Sequence, residues 1–249
     1  MRTVAVIQAR MGSTRLPGKV LADIGGRPLI LWTVAAVETV SGIDALVVAT
    51  TDRREDDELV AILERQRLRV HRGSAQDVLR RVADAVGPLE PEIVLRQTAD
   101  NPFPDPDVMT AQLARLGDGF DYVGITGLPL GIGGEAVRAV ALWSADREAT
   151  EPADREHVLT FVHRQPERFA IGVLADPPAA RHRRYTVDTP DDLAFARTLA
   201  ARLAETNRPA SLAELEAIVA ADPTLSPMRG TIPPSGEPGT RAGLELVED

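Results

Sequence analysis

The sequence predicts an α/β fold built on a mostly parallel, doubly wound sheet, and three observations predict it. Short β-rich runs alternate with longer helical patterns over most of the chain. The strand candidates are almost continuously apolar, as in Ala45-Leu46-Val47-Val48-Ala49, which suits a sheet covered by helices on both faces. Two helix starts carry capping chemistry directly after a strand end, Asp105-Pro106 and Thr189-Pro190-Asp191-Asp192, the position at which open α/β sheets bind ligands.

In chain order, strands are predicted at 4–8, 45–50, 69–71 and 93–96, with weaker candidates at 120–123, 169–174 and 184–187. Helices are predicted at 29–40, 54–66, 75–86, 106–115, 135–146, 156–163 and 190–205. A peripheral helix capped by Ser211 is predicted to run to Ala221. Asp105 and Thr189 are the expected N-caps of their helices, with Asp191 and Asp192 as first-turn acids complementing the macrodipole. Pro227, Gly230, Pro233, Pro234, Gly236, Pro238 and Gly239 crowd the end of the chain, so 226–249 is expected to be a flexible tail following a single domain over 1–225.

A chain of 249 residues can bury a substantial core as one domain, and its 44% hydrophobic and 26% charged residues are ordinary for a globular protein. No run of eighteen apolar residues is present, so no membrane span is expected. The chain enters a strand-like run at Thr3 and shows no signal-peptide pattern, which makes a cytoplasmic location the expectation. The absence of cysteine excludes disulfides, thiolate zinc sites and cysteine nucleophiles. A net charge of −9 and a pI near 5.1 argue against a general nucleic-acid binder, whose affinity rests on neutralising many phosphates. A phosphate ligand is compatible with this balance only where basic residues are concentrated locally.

Such a concentration follows the first strand: Gln8-Ala9-Arg10-Met11-Gly12-Ser13-Thr14-Arg15-Leu16-Pro17-Gly18-Lys19. Polyphosphate binding needs backbone N–H groups at close range, which glycines permit, and fixed positive charge from Arg or Lys. The segment is not a Walker loop, because Val20 stands where a Ser or Thr would follow Lys19, and it does not fit GxGxxG. A solvated basic loop would have the same composition. The word order of the run, however, resembles the nucleotide-binding signature of the cytidylyltransferase family that includes CMP-Kdo synthetases, acylneuraminate cytidylyltransferases and the spore-coat polysaccharide cytidylyltransferase-like proteins, the last most closely. The resemblance implies that Arg10, Arg15 and Lys19 hold the triphosphate and act in catalysis. It further implies that Ala9, Gly12 and Ser13 supply close contacts to the nucleotide.

Two further segments extend the resemblance. Arg96-Gln97-Thr98-Ala99-Asp100-Asn101-Pro102-Phe103 follows the strand at 93–96, and Tyr185-Thr186-Val187-Asp188-Thr189-Pro190 ends the candidate at 184–187. Two carboxylates at separate strand ends can converge on one Mg²⁺, which prefers oxygen ligands and keeps waters beside substrate phosphates. Taken alone, Asp100 also reads as an Asx-turn residue and Asp188 as a turn or capping residue. The family's RxTxDxPxxD and VDTPxDL patterns imply that Asp100 and Asp188 are the magnesium ligands, with Thr98 beside the nucleotide. His71-Arg72-Gly73-Ser74-Ala75-Gln76-Asp77-Val78-Leu79 resembles the family's RGSxxDVL segment, which places Arg72 and Ser74 near the nucleoside; Ser74 equally reads as an N-cap. Ala49-Thr50-Thr51-Asp52 resembles the loop after the second strand, with no role assigned.

The acceptor half is expected at Leu130-Gly131-Ile132-Gly133-Gly134-Glu135 and Arg155-Glu156-His157-Val158, which resemble the LGxxxE and REHV patterns of the spore-coat subgroup. By that likeness Glu135, Arg155, Glu156 and His157 bind the acceptor. Arg155 would meet an anion and His157 would orient or deprotonate it. The bland reading has Arg155 paired with Glu156 and His157 packed on the sheet, with Asp154 as an N-cap. Gly133 and Gly134 depart from the subgroup, which often carries acidic or bulkier residues there. His163 and His182 are expected at the surface, and Arg181-His182-Arg183-Arg184 at a solvated edge, a subunit contact or an acidic acceptor.

Together the motifs imply the nucleotide-diphospho-sugar transferase fold, a GT-A-like three-layer arrangement, as a homodimer. The expected reaction transfers CMP from CTP to a small acidic acceptor (a sugar acid, a phosphonate or a sugar phosphate) and releases pyrophosphate. A glycosyltransferase using a nucleotide sugar on the same fold is the alternative, with Asp105-Pro106-Asp107 as its DxD-like spacing. A non-catalytic nucleotide-binding protein is a second.

Overall fold

The computed structural model describes residues 1–175, 183–203, 208–222 and 225 of the chain. The predicted tail at 226–249, the last residues of the helix predicted at 190–205, and Arg181 and His182 lie outside the described residues.

Seven strands form one sheet: β1 (Thr3–Gln8), β4 (Ala45–Thr51), β5 (Arg69–Gly73), β6 (Ile93–Thr98), β7 (Tyr122–Thr126), β8 (Glu135–Arg138) and β9 (Ile171–Ala175), in the order β5-β4-β1-β6-β8-β7-β9. β1 pairs in parallel with β4 and β6, β4 with β5 and β7 with β9; β8 alone runs antiparallel, between β6 and β7. The remaining two strands, β2 (Asp23–Ile24) and β3 (Arg27–Pro28), make a small separate hairpin through Gly25 and Gly26, both at positive φ.

Alternation within β1 decides the layers. Val4 and Val6 point into a core with α3 (Val78–Val86), α5 (Ala139–Glu148) and the short α7 (Thr160–His163). Ala5 and Ile7 point into a second core with α1 (Leu29–Glu38), α2 (Asp57–Arg65) and α4 (Pro106–Gly117). Both faces of a parallel sheet are thereby dry, which is why its strands read as continuous apolar runs. α1 is apolar nearly all round because it also borders a third cluster, where Leu29 and Trp32 meet α8 (Pro190–Leu203) and α9 (Leu212–Ala221). The helix–sheet–helix layering is the three-layer arrangement expected.

Three expectations change. The helix predicted at 156–163 is broken at Val158, whose positive φ separates Pro152–His157 from Thr160–His163. The helix predicted at 135–146 begins as strand β8, with Ala136 and Val137 facing opposite cores, and turns helical only at Ala139. The strand predicted at 184–187 is an extended segment outside the sheet. It makes one isolated bridge, Leu130 to Arg184, and backbone bonds from Tyr185 N–H to Leu130 O and from Val187 N–H to Asp100 O. That last bond, 2.8 Å, brings the segment before α8 against the end of β6. No helix among the described residues is long and apolar enough to cross a membrane.

Candidate nucleotide-binding site

A pocket of about 350 Å³ opens at the C-terminal ends of β1 and β6. Parallel strands present their ends, and the loops after them, to the same side of the sheet, so residues distant in sequence meet there. Ala9, Arg10, Ser13, Arg15 and Lys19 enter the pocket from the loop after β1, and Thr98 and Asp100 from the end of β6. Asp188 enters from the segment before α8, and Glu156 and His157 from α6 (Pro152–His157).

The loop after β1 is shaped by its own backbone. Met11 O accepts from Ser13 N–H and Gly18 N–H, and Gly18 takes φ 73°, the left-handed conformation that only glycine adopts cheaply. A short 3₁₀ turn over Lys19–Leu21 comes next and turns the Lys19 side chain into the pocket. The loop is pinned from below by Asp56, fully buried, whose Oδ1 accepts Met11 N–H at 2.7 Å. Its Oδ2 accepts Thr51 N–H and the Thr51 hydroxyl. The Ala49-Thr50-Thr51-Asp52 segment therefore supports the loop through Thr51.

Lys19 Nζ donates to Asp100 Oδ2 and to Asp188 Oδ1, 2.8 Å each, and Arg15 Nη2 lies 3.1 Å from the same Asp188 oxygen. Burial acts to lower the Lys19 pKa, but the two carboxylates outweigh it and hold it above its ordinary value. Burial likewise acts to raise that of Asp188, and Lys19, Arg15 and Arg184 reverse this and hold it low. Asp192, almost fully buried, accepts from the backbone N–H groups of Asp188 and Thr189 and pairs with Arg184, while Thr189 Oγ1 accepts Asp192 N–H. Thr189 thus caps α8 as expected. Asp192 is more than a first-turn acid: it fixes the backbone that carries Asp188.

Several residues expected in the site serve elsewhere. Arg72 staples β5 to the loop after β4, donating to Thr51 O, Arg53 O and Asp57. Ser74 Oγ accepts Asp77 N–H and Gln76 N–H, and the N-cap of α3 is Asp77, not Ser74. Gly12 is exposed beside Glu55. Glu135 pairs with Arg96 and accepts the Tyr122 hydroxyl at 2.8 Å. Arg155 is paired not with Glu156 but with Asp77, through both carboxylate oxygens, and with Asp146, so it braces α6 against α3 and α5. None of these five residues lines the pocket. Gly134 is required by packing: a Cβ there would lie 2.7 Å from Arg96 O. His163 is not a surface residue; its ring packs at 5.6 Å from that of Tyr122.

His157 is exposed within the pocket, not packed on the sheet. Its position is set by Val158, which ends α6 at φ 65°, ψ −63° with Leu159 N–H bonded to His157 O at 2.7 Å. This is a positive-φ γ-turn at a β-branched residue, a strained conformation. Asp154, expected as an N-cap, instead holds the turn: its carbonyl accepts Val158 N–H and its buried carboxylate grips Arg164 Nη2 at 2.6 and 2.7 Å.

Two pocket arginines were not foreseen from sequence. Arg96 reaches across β6 to Gln8 and Glu135. Arg81, on α3, is 2% exposed and lines the pocket wall. A periodicity signal for it exists: Arg81 stands three residues after Val78 and four before Ala85, on the buried face of its helix.

Concentrated positive charge, a glycine-shaped loop and paired acids at the strand ends of a mixed α/β sheet define a phosphate-handling protein of the nucleotide-binding kind. A sequence profile described as cytidylyltransferase matches residues 4–219, and the chain belongs to that family of nucleotidyltransferase enzymes. Among its relatives, the spore coat polysaccharide biosynthesis protein SpsF of Bacillus subtilis (strain 168) is 39% identical over 195 residues, covering 75% of this chain and 81% of that protein. The 3-deoxy-manno-octulosonate cytidylyltransferase of Anaeromyxobacter sp. (strain K) is 31% identical over 244 residues, covering 81% and 99%. Two solved structures share the fold. A cytidylyltransferase from Leptospira borgpetersenii superposes with a TM-score of 0.83 at 24% identity, over 90% of this chain and 96% of that one. A CMP:2-keto-3-deoxy-manno-octonic acid synthetase complexed with CTP gives 0.65 at 20% identity, over 81% and 99%.

Proposed function

We propose that the protein transfers CMP from CTP to a small acidic acceptor (a sugar acid, a phosphonate or a sugar phosphate) with release of pyrophosphate. One observation carries the proposal: Arg10, Arg15, Lys19, Asp100 and Asp188, from three distant stretches of sequence, line one pocket. Relatives named for 3-deoxy-manno-octulosonate and a structural neighbour holding CTP support a cytidine nucleotide and a sugar acid within this class.

In the proposed reaction an acceptor oxygen attacks the α-phosphorus, a new P–O bond forms, and the bond to the bridging oxygen breaks to release pyrophosphate. Arg10, Arg15 and Lys19 bind the triphosphate tail and neutralise charge on the departing group. Glu156 and His157, across the pocket, receive the acceptor; His157 takes the proton when the attacking oxygen is a hydroxyl. Positioning and electrostatics supply the rate, and no side-chain nucleophile is needed.

The donor set fits Mg²⁺. Asp100 and Asp188 present hard carboxylate oxygens close enough to share one ammonium, and magnesium is commonly held by one or two carboxylates beside substrate phosphates. When bound there it would supply positive charge beside the triphosphate and offset charge on the leaving group. The glycosyltransferase alternative loses its motif: Asp105 is buried, caps α4 by accepting Asp107 N–H, and holds Leu212 N–H with its other oxygen, away from the pocket.

A pyrophosphate-release assay of the four nucleoside triphosphates against sugar acids, phosphonates and sugar phosphates, with and without Mg²⁺, tests the proposal. Release with CTP and one acceptor class is the expected result. Sugar transfer from a nucleotide sugar without pyrophosphate release would overturn it.

A further inference from the structure

We infer that Arg81 is a second anion-binding group of this pocket, taking a phosphate oxyanion of the bound nucleotide together with Arg10. The inference rests on the nucleotide-binding reading above and adds a residue to it.

The charge balance around the pocket is uneven. Lys19 and Arg15 face Asp100 and Asp188, and Arg96 faces Glu135. Arg81 has no such partner: among the described residues it forms no ion pair, and the one hydrogen bond of its guanidinium runs from Nη1 to Ser74 O. Nε is buried without a partner. A buried guanidinium is ordinarily paired with a carboxylate, because its lost hydration must be replaced. Here the group facing it most strongly is another cation. After burial itself, repulsion from Arg10 is the largest cause that pulls the Arg81 pKa down, to about 10; Asp56 and Asp52 oppose it from a distance, and Arg96 adds to it. Arg10 in turn makes no ion pair among the described residues and is an exposed residue of the pocket lining. Two cations without an ion pair, both lining the pocket and close enough to repel each other, form a site whose complement is an anion.

The local structure holds Arg81 there. Gly73 is packed so that a Cβ would meet the Arg81 Cγ at 3.1 Å, and the carbonyl of Ser74 fixes one end of the guanidinium. Its neighbour Arg80, by contrast, lies on the solvent side of α3, paired with Asp84 and Asp146. Two adjacent arginines thus have opposite surroundings, and only the buried one lacks an acid.

The test compares wild type with Arg81→Met and Arg81→Lys by calorimetric titration with CTP and by NMR titration with cytidine, which lacks phosphates. Circular dichroism melts establish that each variant is folded. The expected result is a loss of at least tenfold in CTP affinity for Arg81→Met, a smaller loss for Arg81→Lys, and unchanged cytidine binding. A CTP affinity equal to wild type in folded Arg81→Met overturns the inference. A parallel loss of CTP and cytidine affinity also overturns it, since that marks a structural or base-side role. If wild type itself binds no nucleotide, the proposed function fails; if wild type binds CTP and Arg81→Met binds it equally, only the Arg81 inference fails.

Discussion

Lys19 and Asp188 stand 169 positions apart in the chain, and their side chains meet at 2.8 Å. The same ammonium reaches Asp100 at the same distance, so one side chain joins the loop after β1, the turn after β6 and the segment before α8. An ammonium shared by two carboxylates stands where the proposed Mg²⁺ would be held, so metal bound by Asp100 and Asp188 would exchange with Lys19 and leave its ammonium for phosphate.

That exchange makes Lys19 sensitive to substitution. Lys19→Met should lower kcat/KM for pyrophosphate release by about 100-fold or more, the scale seen when one charge-stabilising donor is removed. Asp100→Ala and Asp188→Ala should fall at least as far. Steady-state kinetics on the three variants decides the matter; near-normal turnover in any of them would remove that residue from the reaction.

The pocket ion pairs also tie stability to pH. Asp188 has a folded pKa below 3.8, so its contribution is complete above that value and is lost as pH falls through the lower folded one. Lys19 is raised above 10.5, so its contribution is complete below that value and is lost as pH rises through the higher folded one. Thermal melts across pH should show a shallower acid limb for Asp188→Asn than for wild type. Lys19→Met should flatten both limbs, because it removes a partner of Asp188 as well. Limbs identical to wild type would show that these pairs do not contribute.

Asp56 touches no ligand in this scheme, yet it carries the nucleotide loop. Asp56→Ala leaves Met11 N–H and the Thr51 donors without their buried acceptor, at a cost of about 1–3 kcal/mol for each unsatisfied group. Urea unfolding should register this loss, and the KM for nucleotide should rise in the fraction that folds. A stable variant with unchanged KM would mean that the loop holds its shape by itself.

Arg155→Ala separates bracing from acceptor binding. Loss of its pairs with Asp77 and Asp146, both partly screened by solvent, should cost about 1–3 kcal/mol in stability. The KM for acceptor should change less than it does in His157→Ala. The reverse ranking would return Arg155 to the acceptor site.

Gly134→Ala tests a packing requirement. The added carbon would be forced against Arg96 O, with a destabilisation of about 1–3 kcal/mol expected by chemical denaturation. Unchanged stability would show that β8 can shift away from β6.

The regular part of this fold was legible because period and chemistry agree there. Val4–Ile7 alternates between two cores and α3 repeats its buried face at helical spacing, so both announce themselves locally. β8 was not legible. Glu135–Arg138 is a short run continuous with a helix, and what makes it a strand is the gap between β6 and β7 that it fills. The segment at 184–187 has strand-like residues but finds only one bridge, its backbone bonds going to Leu130 and Asp100. In the site, Arg10, Arg15, Lys19, Asp100 and Asp188 could be picked from motifs in order. The partners of Arg72, Glu135 and Arg155 could not, since an arginine in a motif reads the same whether it meets a ligand or an aspartate across the fold. Arg81 lay hidden beside Arg80, an ordinary solvent-facing neighbour.

The backbone turn at Val158 would give the far side of α6 a say in the proposed chemistry. Valine resists a positive φ, and Asp154 helps to hold the turn, its carbonyl on the Val158 amide and its carboxylate on Arg164. Loosening that grip would let the peptide relax and swing the imidazole away from an incoming acceptor. Under the proposed function Arg164, a residue outside the pocket lining, would influence turnover through Asp154 and the turn, and its variants would display a kinetic defect with nucleotide affinity intact.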